Sequence, residues 1–327
     1  HSLRTATRSR GAPPVPGRLM STGKNERRGV IVATTPVPGG PGHPGHANDR
    51  ADRAARNGGR PTLAFDRAAP YVDYGAIDTL LSLQRPRTAE PAETSFIIAT
   101  QVMELLFTLI RQHWEAARDA LDADDVPAAL AGLRRAIYAQ DVLVSSWDLV
   151  ATLTPTEFGR FRDALGEASG FQSYTYRHLE FLLGNKSAAL IGPHRAAPQV
   201  RADLERALAA PGLYDAALRL LHRRGSPVPA GQVERDWSRP YSAHPGVERA
   251  WAEVYADDRP GNTLLALAEA LLDTAERVTR WRHRHLMAVK RSMGAKPGTG
   301  GSSGLEWLAK NTEQDVFPEL WSLRTGI

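Results

Sequence analysis

The sequence predicts an all-α protein. Apolar residues recur at spacings of three and four over long stretches, helix start signals precede them, and convincing runs of alternating polar and apolar residues are absent. Taken in order, "IDTLLSLQ" starts a short helix that Pro86 closes. Residues 95–122 predict a long helix, with Phe96, Ile97, Val102, Leu105, Leu106, Leu109, Ile110 and Trp114 forming its apolar side. Residues 127–149 continue in the same manner. Thr154 can then cap, Pro155 suits a first helical turn, and Glu157 sits three residues on, a capping box that predicts a helix over 156–166. Gly170 marks a break, and helices are expected over 172–183, 200–210, 213–223, 245–256 and 262–292, with a loop around Pro227 and Pro229.

Composition narrows the function. The 327 residues suffice for one large domain or two small ones, and the 42% apolar share suits a globular chain. There is no cysteine, which excludes disulfides, thiolate metal sites and a cysteine nucleophile; a reducing, cytoplasmic setting is expected. No unbroken apolar run of about 18 residues occurs, so no transmembrane helix is expected. The net charge of +5 is concentrated in residues 1–70, which hold 12 Lys/Arg against 4 Asp/Glu. The remainder is slightly acidic, which argues against nucleic acid as a partner. Residues 1–68, rich in Pro, Gly, Arg and Ala, show no period and are expected to be a disordered extension; 69–327 are expected to form the helical domain. The chain opens on His1, so a partial or processed form is expected, with Met20 as an alternative start. No secretory apolar stretch follows the basic N-terminal residues.

The helix expected over 262–292 carries "WRHRHLMAVK", residues 281–290. His285 shares its face with Val278, Trp281, Ala288, Val289 and Ser292, which is mostly apolar. His283 shares its face with Glu276, Thr279, Arg280, Met287 and Lys290, which is mostly polar. Two positions along a helix differ by about 200°, so the two histidines point apart and cannot ligate one small ion together. The basic residues likewise form no single stripe. The pattern leaves two readings of His285: a hydrogen-bonded core residue, or a ligand or catalytic group beside a flat cofactor. His113, His178, His194, His222 and His244 lack a second ligand at useful spacing. After the helix, "GAKPGTGGSSGLEWL" lacks the Gly-Lys-Ser/Thr ending of a nucleotide loop and follows a helix, not a strand. Its backbone N–H groups and the hydroxyls of Thr299, Ser302 and Ser303 could hold a ligand's carboxylate or amine, and a flexible turn is the other reading.

Several motifs together resemble the tryptophan 2,3-dioxygenase family of heme enzymes. They are "YVDYGAIDTLLSLQRP", "FIIATQVMELLF", "LTPTEFGRFRDALGEASGFQSYTYRHLEFLLGNK", "RDWSRPYSAHP", "WRHRHLMAVKRSMGAKPGTGGSSG" and "FPELWSLRT". The resemblance implies a mostly helical bundle with a b-type heme in its core, a homotetramer, and L-tryptophan or a related indole amino acid and O2 as partners. It implies that His285 is the axial ligand of the heme iron, that Arg177 binds the substrate carboxylate, and that Thr299 contacts the substrate's ammonium and carboxylate. A guanidinium suits a carboxylate because its planar fork pairs with it bidentately. Tyr71 and Tyr74 match tyrosines of a segment that closes over a neighbouring subunit's site; core packing is the other reading of both.

The match departs in three places. In "PAETSFII", Pro91 occupies the position aligned with the family's distal histidine and Ala92 that of an aspartate, while Glu93 is retained. A one-residue shift there would present Glu90 or Glu93 instead. Gly75 stands where a leucine is usual, and "DDRPGNTLL" stands where aromatic residues are usual. Proline offers no side-chain donor or acceptor, so the pocket is expected to lose a polar anchor and gain space. The leading expectation is a heme-dependent dioxygenase that cleaves the indole C2–C3 bond of L-tryptophan to N-formylkynurenine. The alternatives are a heme monooxygenase of a substituted tryptophan or another aromatic amino acid, and an inactive relative that binds heme or ligand without turnover.

Overall fold

The computed structural model describes residues 45–66 and 68–326. The expectation of disorder for 1–44 and the alternative start at Met20 lie outside the described residues. Within the described residues there is no strand, and the long elements stand where the periodicity puts them. In chain order these are α1 (Gly45–Arg56), α2 (Pro70–Tyr74), α3 (Ile77–Leu81), α4 (Pro91–Asp122), α5 (Val126–Ser145), α6 (Trp147–Ala151), α7 (Pro155–Arg162), α8 (Tyr174–Leu182), α9 (Pro198–Ala209), α10 (Leu213–Arg223), α11 (Ala230–Val233), α12 (Pro245–Ala256), α13 (Thr263–Met293), α14 (Leu305–Thr312) and α15 (Pro318–Ser322).

Helices α4, α5 and α13 form the centre, with α8 and α10 also packing on α4. The core face of α4 is Ala99, Met103, Phe107, Ile110, Trp114, Ala117 and Leu121, a strict three-and-four spacing. Gly132 of α5 allows the close crossing with α4, since a Cβ there would come within 3.2 Å of the His113 carbonyl. Gln140 donates to the Thr274 carbonyl at 3.1 Å, and Arg277 pairs with Asp141 at 2.9 Å, which fix α5 to α13. Glu319 holds the C-terminus to the body. Its carboxylate accepts from Tyr241 Oη at 2.6 Å, His244 N–H at 2.8 Å and Tyr214 Oη at 3.0 Å. Trp251 Nε1 donates to Tyr214 Oη at 2.9 Å, so every member of this buried network has a partner.

Four expectations need correction. The segment assigned to disorder contains α1, because it is rich in Ala and Arg and places Asp49 and Asp52 four residues before Arg53 and Arg56. Its described side chains are exposed, and its only apolar positions are alanines, a weak signal in the sequence. The helix expected over 127–149 breaks at Ser146. Ser145 and Ser146 turn their hydroxyls onto the Val142 and Leu143 carbonyls, at 2.9 and 2.6 Å, and α6 begins at Trp147. The helix expected over 156–166 ends at Arg162 and tightens into a 3₁₀ turn up to Leu165. Its predicted capping box is present, with Glu157 N–H on Thr154 Oγ1 at 3.2 Å and Thr154 N–H on Glu157 at 2.9 Å. Finally, α4 is long and apolar enough, by length and composition, to cross a membrane, despite interruptions that hide this from a count of unbroken apolar residues. Its core face is committed to α5 and α10, and Ile98, Leu105 and Leu109 lie outside that core.

Candidate active site

The "ASGFQS" and "GTGGSSG" motifs, far apart in sequence, meet in space. After α13 ends, the glycine-rich loop folds onto the segment that follows α7. Thr299 Oγ1 donates to the Ala168 carbonyl at 2.6 Å, and Arg162 Nη2 donates to the Pro297 carbonyl at 2.6 Å. Gly300 lies so near Ser169 that a Cβ would stand 2.9 Å from the serine Cβ and 3.0 Å from its Oγ. The loop largely satisfies itself: Gly298 N–H donates to the Ser302 carbonyl at 3.1 Å and Gly301 N–H to the Gly298 carbonyl at 3.0 Å. Fewer backbone donors are therefore open to a ligand than the sequence suggests, and the Thr299 hydroxyl is itself engaged on Ala168.

Arg177, on the first turn of α8, is 3% exposed. Its Nη1 pairs with Glu180, its Nη2 donates to the Phe171 carbonyl at 3.3 Å, and its Nε has no partner. The Phe171 ring lies 5.4 Å from the guanidinium and meets Trp307 edge-on at 5.7 Å, so α14 contributes to the same site. The rest of the motif is structural. Lys186 Nζ donates to the carbonyls of Ala207, Leu208 and Ala210 at 2.7, 3.0 and 2.7 Å and closes the C-terminus of α9.

From Tyr176, beside Arg177, an aromatic series leads to His285. Tyr176 and Trp281 are 4.9 Å apart, Trp281 and Trp147 are 5.6 Å apart, and Trp147 stacks on His285 at 4.5 Å with planes 12° apart. Phe107 of α4 meets Trp281 edge-on at 5.7 Å. His285 is half-buried, yet protein packs around the ring densely enough that burial alone pushes its pKa down to about 4. No hydrogen bond or charged partner contributes to that shift. His283, two residues earlier, is exposed.

These residues fit a heme. Ligation needs a neutral imidazole, and the burial that lowers the His285 pKa favours that form. The Nε1 atoms of Trp147 and Trp281, both in contact with the His285 ring, are buried without partners, as is the Nε of Arg177. Among the described residues no three His, Asp or Glu side chains form a metal-binding group.

A family model described as tryptophan 2,3-dioxygenase matches residues 57–254 and 252–327. Curated relatives agree. Tryptophan 2,3-dioxygenase 1 of Ralstonia nicotianae is 43% identical over 263 residues, covering 80% of this chain and 90% of the relative. The tryptophan 2,3-dioxygenase of a Polaromonas species is 43% identical over 265 residues, 81% of this chain and 90% of the relative. That of Bordetella parapertussis is 43% identical over 265 residues, 81% of this chain and 93% of the relative. The chain belongs to the tryptophan 2,3-dioxygenase family.

Membership covers the whole helical body, and the residues matched to the family's site stand as follows. Arg177 and Thr299 both bond to the segment 168–171, on the Phe171 and Ala168 carbonyls, and a series of aromatic contacts runs from Tyr176, next to Arg177 in sequence, through Trp281 and Trp147 to His285. Pro91 is not brought in. It is the exposed first residue of α4, next to Glu90, which caps the helix and pairs with Arg160 at 3.0 Å. Phe107, the α4 residue that touches Trp281, lies about 24 Å further along at 1.5 Å per residue. Pro91 thus lines no part of the aromatic cluster. A register shift does not help, because Glu93 is buried and accepts from the N–H groups of Arg87 and Thr88, both at 2.7 Å. Tyr71 and Tyr74 are 77% and 95% exposed, so neither packs in the core of this chain, and neither reaches Arg177. Sequence reasoning overlooked Trp147, Tyr176, Phe171 and Glu180; the paired serines before Trp147 were the one legible signal for the first.

Proposed function

We propose that this protein is a heme-dependent dioxygenase that cleaves the indole C2–C3 bond of L-tryptophan, or a close analogue, with O2 to give N-formylkynurenine. The observation that carries the reading is that Arg177 and Thr299, from two distant motifs, bond to one segment, 168–171, within a chain 43% identical over 80% of its length to a tryptophan 2,3-dioxygenase. Heme, when bound, supplies the redox chemistry of O2. His285 holds its iron. Arg177 takes the substrate carboxylate on the edge carrying its unpartnered Nε. Thr299, at the mouth of the site, exchanges its bond to Ala168 for one to the amino acid's polar end. Trp147 and Trp281 contact the His285 ring and hold that imidazole in place.

The assembly in this reading is a homotetramer in which Tyr71 and Tyr74 serve a neighbour's site. Their exposure supports this, as do the uncovered apolar side chains Leu105 and Val142, 59% and 53% exposed on the central helices. The test is a product mass. Protein loaded with heme, reduced, and given L-tryptophan in air should yield a product heavier by two oxygen atoms. A gain of one atom would support the monooxygenase, and no gain with any aromatic amino acid would support an inactive relative.

A further inference from the structure

Glu180 has no part in the reading above, yet it is 6% exposed and both its oxygens are engaged. One pairs with Arg177 Nη1, and the other accepts Asn185 Nδ2 at 3.1 Å. Asn185 is itself tied to Gln314 at 3.4 Å. Removing either partner of a buried pair so placed would leave the other uncompensated, at a heavy cost to the fold. The carboxylate holds the guanidinium in one orientation: Nη1 faces Glu180, and Nη2 leans on the Phe171 carbonyl. The edge formed by Nε–H and the second Nη2–H remains for an incoming carboxylate. Arg282, the other buried cation near Tyr176, is turned to the Gln314 carbonyl at 2.8 Å.

We infer that Glu180 is a positioning residue for substrate recognition, and that it tunes the site toward zwitterionic amino acids over indole acids that lack an ammonium group. The inference rests on Arg177 being the carboxylate anchor. The Arg177–Glu180 pair is neutral. A zwitterion adds no net charge to it, whereas an acid without ammonium places an uncompensated negative charge near Glu180.

The test uses heme-loaded protein, titrated optically with L-tryptophan and with indole-3-propionate, alongside steady-state kinetics. Glu180→Gln should raise Kd and KM for L-tryptophan about tenfold, the scale of one charge-assisted hydrogen bond, while kcat stays within about threefold. It should also shift the ratio of the two Kd values toward indole-3-propionate by about tenfold, which a merely structural lesion would not do. Because Glu180 acts through Arg177, the double variant Arg177→Ala, Glu180→Gln should bind L-tryptophan no more weakly than Arg177→Ala alone. Unchanged Kd values in folded Glu180→Gln, or a further loss in the double variant, would overturn the inference. If Arg177→Ala itself leaves the L-tryptophan Kd unaltered, the anchor assignment is what fails. Should Glu180→Gln not fold, Asn185→Ala loosens Glu180 from its other side; it should shift the Kd ratio in the same direction, and an unmoved ratio would refute the role.

Discussion

Replacing His285 with alanine separates a ligand from a packing residue. The ring is half-buried and stacks on Trp147 at 4.5 Å. Losing that stack costs about 0.5–1.5 kcal/mol. A domain of ordinary stability, about 5–15 kcal/mol, survives such a loss, so His285→Ala should fold with unchanged far-UV circular dichroism. Heme binding is a different matter, because His285 would be the iron's one protein ligand. Removing a residue that merely supports a ligand weakens a metal site about 10–100-fold, and removing the ligand itself should exceed that. The assay is a heme titration followed at the Soret band, for His285→Ala and His283→Ala together. His283 points about 200° away on the same helix and is exposed, so its variant should bind heme like the parent. Added imidazole should restore the ligated spectrum in His285→Ala, since the void beside Trp147 has the shape of the missing ring. An unchanged Soret titration in His285→Ala, or a loss in His283→Ala, would refute the assignment.

Other outcomes follow from the same geometry. Arg177→Ala should raise KM for L-tryptophan about 10–150-fold, corresponding to the 1.5–3 kcal/mol of a charge-assisted pair, and unchanged steady-state kinetics would place the carboxylate elsewhere. Gly300→Ala forces the loop away from Ser169, where a Cβ would stand 2.9 Å from the serine Cβ. A displacement of about 1 Å at Thr299 should lower kcat/KM on the order of 100-fold without changing the melting temperature by more than a few degrees, and an unaffected kcat/KM would show that the loop does not position substrate. His178 is buried on the face of α8 that turns toward α9, where desolvation and Arg111 hold its pKa down to about 4 against the pull of Asp203. Between pH 6.5 and about 4 the unfolded chain therefore binds a proton that the folded chain refuses, so stability should fall as pH drops through that window. His178→Gln should flatten that part of a urea-denaturation profile, and a profile as steep as the parent's would contradict the buried neutral imidazole.

Much of the fold was legible because its long helices have one buried face. The spacing that marks α4 in sequence is the spacing of its core residues, and the Thr154–Glu157 box is present as hydrogen bonds. Helix α1 was missed because its only apolar positions are alanines, a weak signal in the sequence. The break at Ser146 was missed because the apolar rhythm runs straight through it; only the hydroxyls of Ser145 and Ser146, which compete for helix carbonyls, announce it. The site was legible in part. The face of α13 that carries Val278, Trp281, Ala288 and Ser292 is buried as expected, and His285 lies along it. Pro91, aligned from a short motif, stands at the exposed entrance of α4. A proline preceded by an N-cap belongs to a helix entrance, and entrances face solvent. Glu180 could not have been singled out: an Arg and a Glu three residues apart on a helix are usually a solvated pair, and only burial makes this one different.

The central claim is that this chain inserts both atoms of O2 into an indole amino acid. Its most direct test is a single turnover of the heme-loaded, reduced protein with L-tryptophan under isotopically labelled O2, followed by mass spectrometry of the product. The account expects two labelled oxygen atoms in one N-formylkynurenine molecule. A product with one labelled atom and an intact indole C2–C3 bond would contradict it.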